Sequence, residues 1–136
     1  MTAEILLALG QPDQALVQAA EAVREAGERD WTPEVIAALE IQSLALLEMD
    51  RPEEALTVAS DALQQAEAIG ARPMVWRLQA LRARIQRRLN DQEAARLSLV
   101  KAGEIVRALG ASIPDPEDEQ RFLKSPEASS VLVGAP

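Results

Sequence analysis

Three residues able to end a helix and reverse the chain stand at one interval: Gly10, Asp50 and Asn90, 40 residues apart. Each closes an apolar helical pattern, and glycine, aspartate and asparagine all tolerate the left-handed backbone that such a turn requires. The same step relates Ala15, Ala55 and Ala95, then Ala22, Ala62 and Ala102, then Leu9, Met49 and Leu89, with Ala3, Ser43 and Ala83 as a small-residue set upstream. The unit is therefore helix, tight turn, helix. At this period a unit cannot bury its apolar face alone, so the chain is expected to be an all-α solenoid in which neighbours cover one another.

Local signals place the elements. The first helical pattern occupies residues 1–9, with Ile5, Leu6 and Leu9 on one side and no capping residue before them. Residues 1–9 match 41–49, whereas 32–40 have no counterpart upstream, so the array is expected to start in mid-unit. Pro12 with Asp13, and Pro52 with Glu53 and Glu54, open the second and fourth helices, because proline suits the first helical position and acids suit the positive end of the macrodipole. Thr32-Pro33-Glu34 reads as a cap and start for the third helix, to about Met49; the fifth runs from about Pro73 to Leu89, and Asp91 caps the sixth. Gly70 before Pro73, and Gly110 before Pro114, read as helix stops. The expected organisation is repeats over 1–31, 32–71 and 72–111. Over 112–136 come a turn, a short helix at 116–124 carrying Phe122 and Leu123 as a lid on the last repeat, and a fraying tail with Val131, Leu132 and Val133.

On these residues the chain resembles the tetratricopeptide repeats, in their longer variety of about 40 residues. The likeness rests on the small residue of the first helix of each unit, the turn residue, and the paired alanines of the second helix, over residues 1–111. The family's aromatic positions are taken here by Leu39, Leu46, Gln79 and Gln86. The resemblance implies a right-handed array of about three antiparallel hairpins with a C-terminal capping helix, similar to the C-terminal arrays of large bacterial regulators and signalling ATPases. It also implies a concave groove lined by Glu4, Leu7 and Ala8, by Ala37, Glu40, Ile41, Leu44 and Glu48, and by Arg77, Leu81, Arg84 and Arg88. Members that clamp a terminal carboxylate use Asn and Lys at inner positions, which Ile41, Leu44 and Arg84 do not supply.

Composition narrows the chemistry. Cysteine and histidine are both absent from the 136 residues, which excludes disulfides, thiol nucleophiles, zinc sites of the usual kind and histidine relays. No nucleophile, base and orienting group can be assembled, so no enzyme activity and no cofactor is expected. The net charge of -8 disfavours direct contact with nucleic acid or anionic lipid. No apolar run reaches the roughly 18 residues of a membrane span and no signal peptide is evident, so a cytoplasmic location is expected.

Against this acidic background, residues 72–88 hold Arg72, Arg77, Arg82, Arg84, Arg87 and Arg88 and no acid, which is +6 in a chain whose remainder is -14. Arginine forks grip carboxylate or phosphate, so an acidic peptide or an anionic small molecule is the pointed expectation. The plain alternative is structural: cations in the last turns of a helix suit its dipole, and Arg88 lies one repeat from Glu48. Arg82 falls on the apolar stripe Val75, Leu78, Ile85, Leu89, so its stem should pack while its head reaches out. Trp31 and Trp76 are expected in packing roles, and the acids Asp115, Glu117, Asp118 and Glu119 as a helix start and not a metal site. Three functions follow. One is a non-catalytic scaffold that binds a protein, peptide or partner helix through Glu40, Ile41, Leu44, Arg77, Leu81, Arg84 and Arg88. The second is a homodimer formed through Ile5, Leu6 and Leu9. The third is effector sensing within a transcription regulator.

Overall fold

The computed structural model describes residues 2–134, the side chains of 133 and 134 excepted, and over them the chain is helical with no strand. Eight helices follow one another: α1 (Ala3–Ala8), α2 (Pro12–Glu28), α3 (Thr32–Glu48), α4 (Pro52–Ala68), α5 (Arg72–Arg88), α6 (Gln92–Ala111), α7 (Pro116–Leu123) and α8 (Pro126–Gly134). They divide into two compact units, Met1–Ala71 and Arg72–Pro136. The segment after residue 111 belongs to the same compact unit as α5 and α6.

The turn recurs twice as often as the sequence repeat indicates. Positive φ angles occur at Gly10 (74°), Asp30 (55°), Asp50 (60°), Gly70 (68°) and Asn90 (60°), every twentieth residue. At each, the left-handed residue donates to the carbonyl three back, as from Gly10 to Leu7 (3.1 Å) and Asn90 to Arg87 (3.0 Å). The next N–H reaches five back: Gln11 to Leu6, Trp31 to Ala26, Arg51 to Leu46 and Asp91 to Gln86 at 2.9 Å, and Ala71 to Ala66 at 3.0 Å. These paired bonds are the Schellman arrangement, which satisfies the last carbonyls of one helix while aiming the chain into the next. Within each unit, helices joined by so short a turn run antiparallel.

In the first unit α2 packs on α1 and α3, α3 packs on α4, and α1 also touches α3. α3 is the central element and buries Ile36, Ala38, Leu39, Ser43, Ala45, Leu46 and Leu47. Its neighbours meet it with alanine: Ala15, Ala19 and Ala26 from α2, and Ala55, Ala59, Ala62 and Ala66 from α4. Small side chains let backbones approach closely. The fully buried Ser43 accordingly donates its Oγ to the carbonyl of Ala55 at 2.8 Å, which satisfies the hydroxyl in the interior. Ala62 and Ala102 of the alanine set are buried, but Ala22 is exposed. It lies well past the turn at Gly10, and α1, only six residues long, does not extend that far along α2.

In the second unit Ala83, Ala95 and Leu99 fill the α5–α6 contact near the turn. Trp76, Ala102, Val106, Ala128 and Val131 form the principal core, flanked by Ile105, Leu109, Phe122, Leu123 and Leu132. α7 and α8 both pack on α6. Expectations for this end need two corrections. Residues 126–134 are a helix whose Ala128 and Val131 enter the core, so the tail does not fray there; the Val133 side chain and residues 135–136 lie outside the described part. Gly110 does not stop α6, which continues to Ala111. The residue is a glycine for space: a Cβ there would stand 2.9 Å from Leu123 Cδ2.

Helix starts differ in detail. Thr2 caps α1, its Oγ1 accepting from the Ile5 N–H at 3.4 Å, where an uncapped entry was expected. Thr32 is the first residue of α3 and not its cap; Trp31 holds that place without a side-chain bond. Asp91 caps α6 as expected, accepting from the Ala94 N–H at 3.2 Å.

Candidate functional site

α5 has an uninterrupted cationic composition because it lacks acids, and its seven buried residues, Val75, Trp76, Leu78, Gln79, Leu81, Ala83 and Ile85, direct the arginines elsewhere. Leu81 is 5% exposed and serves mainly the interior, contrary to the open groove face expected from the sequence. Arg77, Arg84 and Arg88 are exposed. Arg77 and Arg88 already have interacting groups, as does Glu40. On α3, in the other unit, Glu40, Ile41 and Leu44 are half-buried.

Arg82 departs from expectation. The residue is half-buried, and its guanidinium turns along the hairpin to donate through Nη2 to Gln79 Oε1 (3.1 Å) and through Nε to Ser98 Oγ (3.4 Å); Ser98 in turn donates to Gln86 Oε1 at 2.8 Å. Gln79 and Ser98 are buried, so Arg82 satisfies polar groups that would otherwise cost stability. One repeat earlier the equivalent positions are Leu39, Gln42, Leu46 and Val58. Three apolar residues, Leu39, Leu46 and Val58, thus give way together to Gln79, Gln86 and Ser98, a signal present in the sequence and legible only once the helices are paired.

Arg72, at the first position of α5, remains apart from the others, and Arg84 and Arg87 remain together near its end. Neither has a hydrogen bond or ion pair among the described residues, and their spacing of three sets them side by side on one helix face. They stand on a cleft of about 220 Å³ within the second unit, lined also by Ala80, Ala83, Leu99, Ser130 and Val131. Arg87 was not among the site residues expected from the sequence, because only α8, folded over α5 and α6, creates the cleft. Ser130 donates its hydroxyl hydrogen to the Glu127 carbonyl at 2.8 Å and so faces outward only as an acceptor.

The first unit has its own open cleft of about 450 Å³, lined by Leu16, Val17 and Ala20 of α2, Gln42 and Leu46 of α3, and Glu54, Thr57 and Val58 of α4, with Arg51 paired to Glu54 at its edge. Of the residues proposed for self-association, Ile5 is 50% and Leu9 56% exposed. Leu6, at 5%, is instead enclosed with Ala15 and Ala45 and cannot serve as contact surface. Trp31 is also a correction: it is 50% exposed, with the Arg29 guanidinium 5.0 Å from its ring centre, because it occupies a turn and not a helix face.

Among the described residues no group of three acidic side chains is placed to hold a metal ion, and no helix is long and apolar enough to cross a membrane. The chain matches no family model, no curated protein and no solved structure.

Proposed function

We propose that this chain is a non-catalytic protein-binding module of the helical-repeat kind, tetratricopeptide-like in its hairpins, that takes an acidic segment of a partner protein on the arginine face of α5. The observation that carries the reading is the pair Arg84 and Arg87, unengaged by any described residue beside an apolar cleft. The five evenly spaced Schellman turns and the contact of α1 with α3 support the repeat architecture. Net negative charge does not oppose such a partner at close range, since salt screens charges beyond about 8 Å at physiological strength and leaves the local arginines in control.

The test is fluorescence anisotropy of labelled acidic peptides with the full chain at rising salt. Binding should weaken as salt increases, and Arg84→Glu with Arg87→Glu should abolish it while helical content by circular dichroism stays unchanged. Binding that survives the double reversal refutes the reading.

A second reading, a homodimer, rests on exposed Ile5 and Leu9. Each such side chain is worth about 1.5–3 kcal/mol when fully buried. Light scattering over a concentration series then shows a dimer that Ile5→Ser with Leu9→Ser converts to monomer; an unaffected dimer, or a monomer throughout, rejects it.

A further inference from the structure

Electrostatics alone would let any acidic chain bind α5, yet the two free arginines do not stand on a flat surface. They border a cleft whose other walls are the half-buried Ala80 and the small accessible parts of Ala83, Leu99 and Val131, with Ser130 as the further polar side chain on the α8 side among the described residues. The volume of about 220 Å³ is ample for an aliphatic side chain. Water held there has few polar partners, so an apolar group gains by replacing it.

The polar groups also discriminate. Arg84 and Arg87 supply only donors and full positive charge. The Ser130 hydroxyl, its proton committed to the Glu127 carbonyl, supplies only an acceptor. Glu127 itself does not line the cleft. A bare inorganic anion would satisfy the arginines and waste the rest. A peptide strand satisfies all three features: carboxylates for the arginines, a backbone N–H for Ser130 Oγ, and a side chain for the apolar walls.

We infer that the cleft reads a short motif, an aliphatic residue flanked by acids, with the aliphatic side chain seated between α5 and α8 and the acids held by Arg84 and Arg87. This rests on the proposed function and adds to it a specificity that charge does not confer. Two capped, fluorescein-labelled pentapeptides separate the two ideas. One has leucine at its centre and two acidic residues on either side; the other has serine at the centre and identical charge. Binding to the full chain is measured by anisotropy. The leucine peptide should bind about tenfold or more tightly than the serine peptide. Ala80→Leu, which fills the cleft from a half-buried position, should erase that preference while leaving the weaker, charge-driven binding of the serine peptide. Equal affinities for the two peptides overturn the motif and leave the acidic-partner reading standing. No binding of either peptide overturns both. Preference for leucine that persists in Ala80→Leu, with helical content unchanged, places the aliphatic side chain elsewhere and overturns the cleft.

Discussion

Gly70 and Gly110 look alike in the sequence, each an apparent helix stop shortly before a proline, but the structure assigns them different physical roles that mutation separates. Gly70 has φ +68° and open space where a Cβ would go. Gly70→Ala therefore costs backbone energy alone, about 1–2 kcal/mol for the left-handed conformation. For a unit of this size that lowers the melting temperature on the order of 10 °C. Gly110 lies inside α6, and its alanine Cβ would meet Leu123 Cδ2 at 2.9 Å and Cγ at 3.3 Å. Overpacking costs about 1–3 kcal/mol and helix propensity returns up to about 1, so the single variant should lose roughly 0–2 kcal/mol. The difference emerges in a double-mutant cycle. Leu123→Ala removes the colliding atoms, and on that background Gly110→Ala should become neutral or stabilising, a coupling of about 1 kcal/mol or more. Gly70→Ala and Leu123→Ala should instead add within about 0.3–0.5 kcal/mol. Thermal and urea unfolding followed by far-ultraviolet circular dichroism give both quantities. A Gly110–Leu123 coupling near zero, or a Gly70→Ala protein as stable as the parent, refutes the reasoning.

Ser43→Ala should cost about 0.5–1.5 kcal/mol, because it leaves the Ala55 carbonyl short of one bond in the α3–α4 contact; urea titration measures it. Arg82→Ala should destabilise by about 1–3 kcal/mol, since buried Gln79 loses the donor to its Oε1 and Ser98 loses one of its two bonds, while Arg87→Ala stays within about 0.5 kcal/mol; equal effects would contradict the network. The hydrogen bond from Arg24 holds the Glu21 carboxyl below its usual range, and Arg96 does the same for Glu93. A carboxylate with a lowered folded pKa adds stability above its unfolded pKa and loses it as pH falls through the folded value. Melting curves of the parent and of Glu21→Gln with Glu93→Gln should therefore converge on acidification through and below the carboxylate range. Both pairs are exposed, so the gap at neutral pH should be small.

The helices and most of their ends were legible before any coordinates, because capping and turning are local: Pro12, Pro52, Asp91, Gly10, Asp50 and Asn90 act on the few residues around them. Asp30 has the same standing, one full step of 40 before Gly70 and three residues before Pro33 as Gly70 is before Pro73, but an aspartate is a weaker local stop signal than a glycine. The small sets were legible too, and Ser43 and Ala83 do meet α4 and α6 at the tight ends of their hairpins.

What only the tertiary structure decided concerns the meaning of single residues whose neighbours are distant in the chain. Leu6 and Leu81 matched an exposed helical face and are buried; Arg82 matched a buried stripe and finds Ser98 across the hairpin. Arg84 and Arg87 acquire a cleft because Ser130 and Val131, more than 40 residues away, fold back over α5. Sequence alone determined an all-helical chain punctuated at regular turns, since backbone hydrogen bonding and left-handed strain are settled within one turn of helix. Which arginines stay free, and beside what surface, depends on packing between segments far apart in sequence, where burial and charge are shared among residues that no local pattern connects.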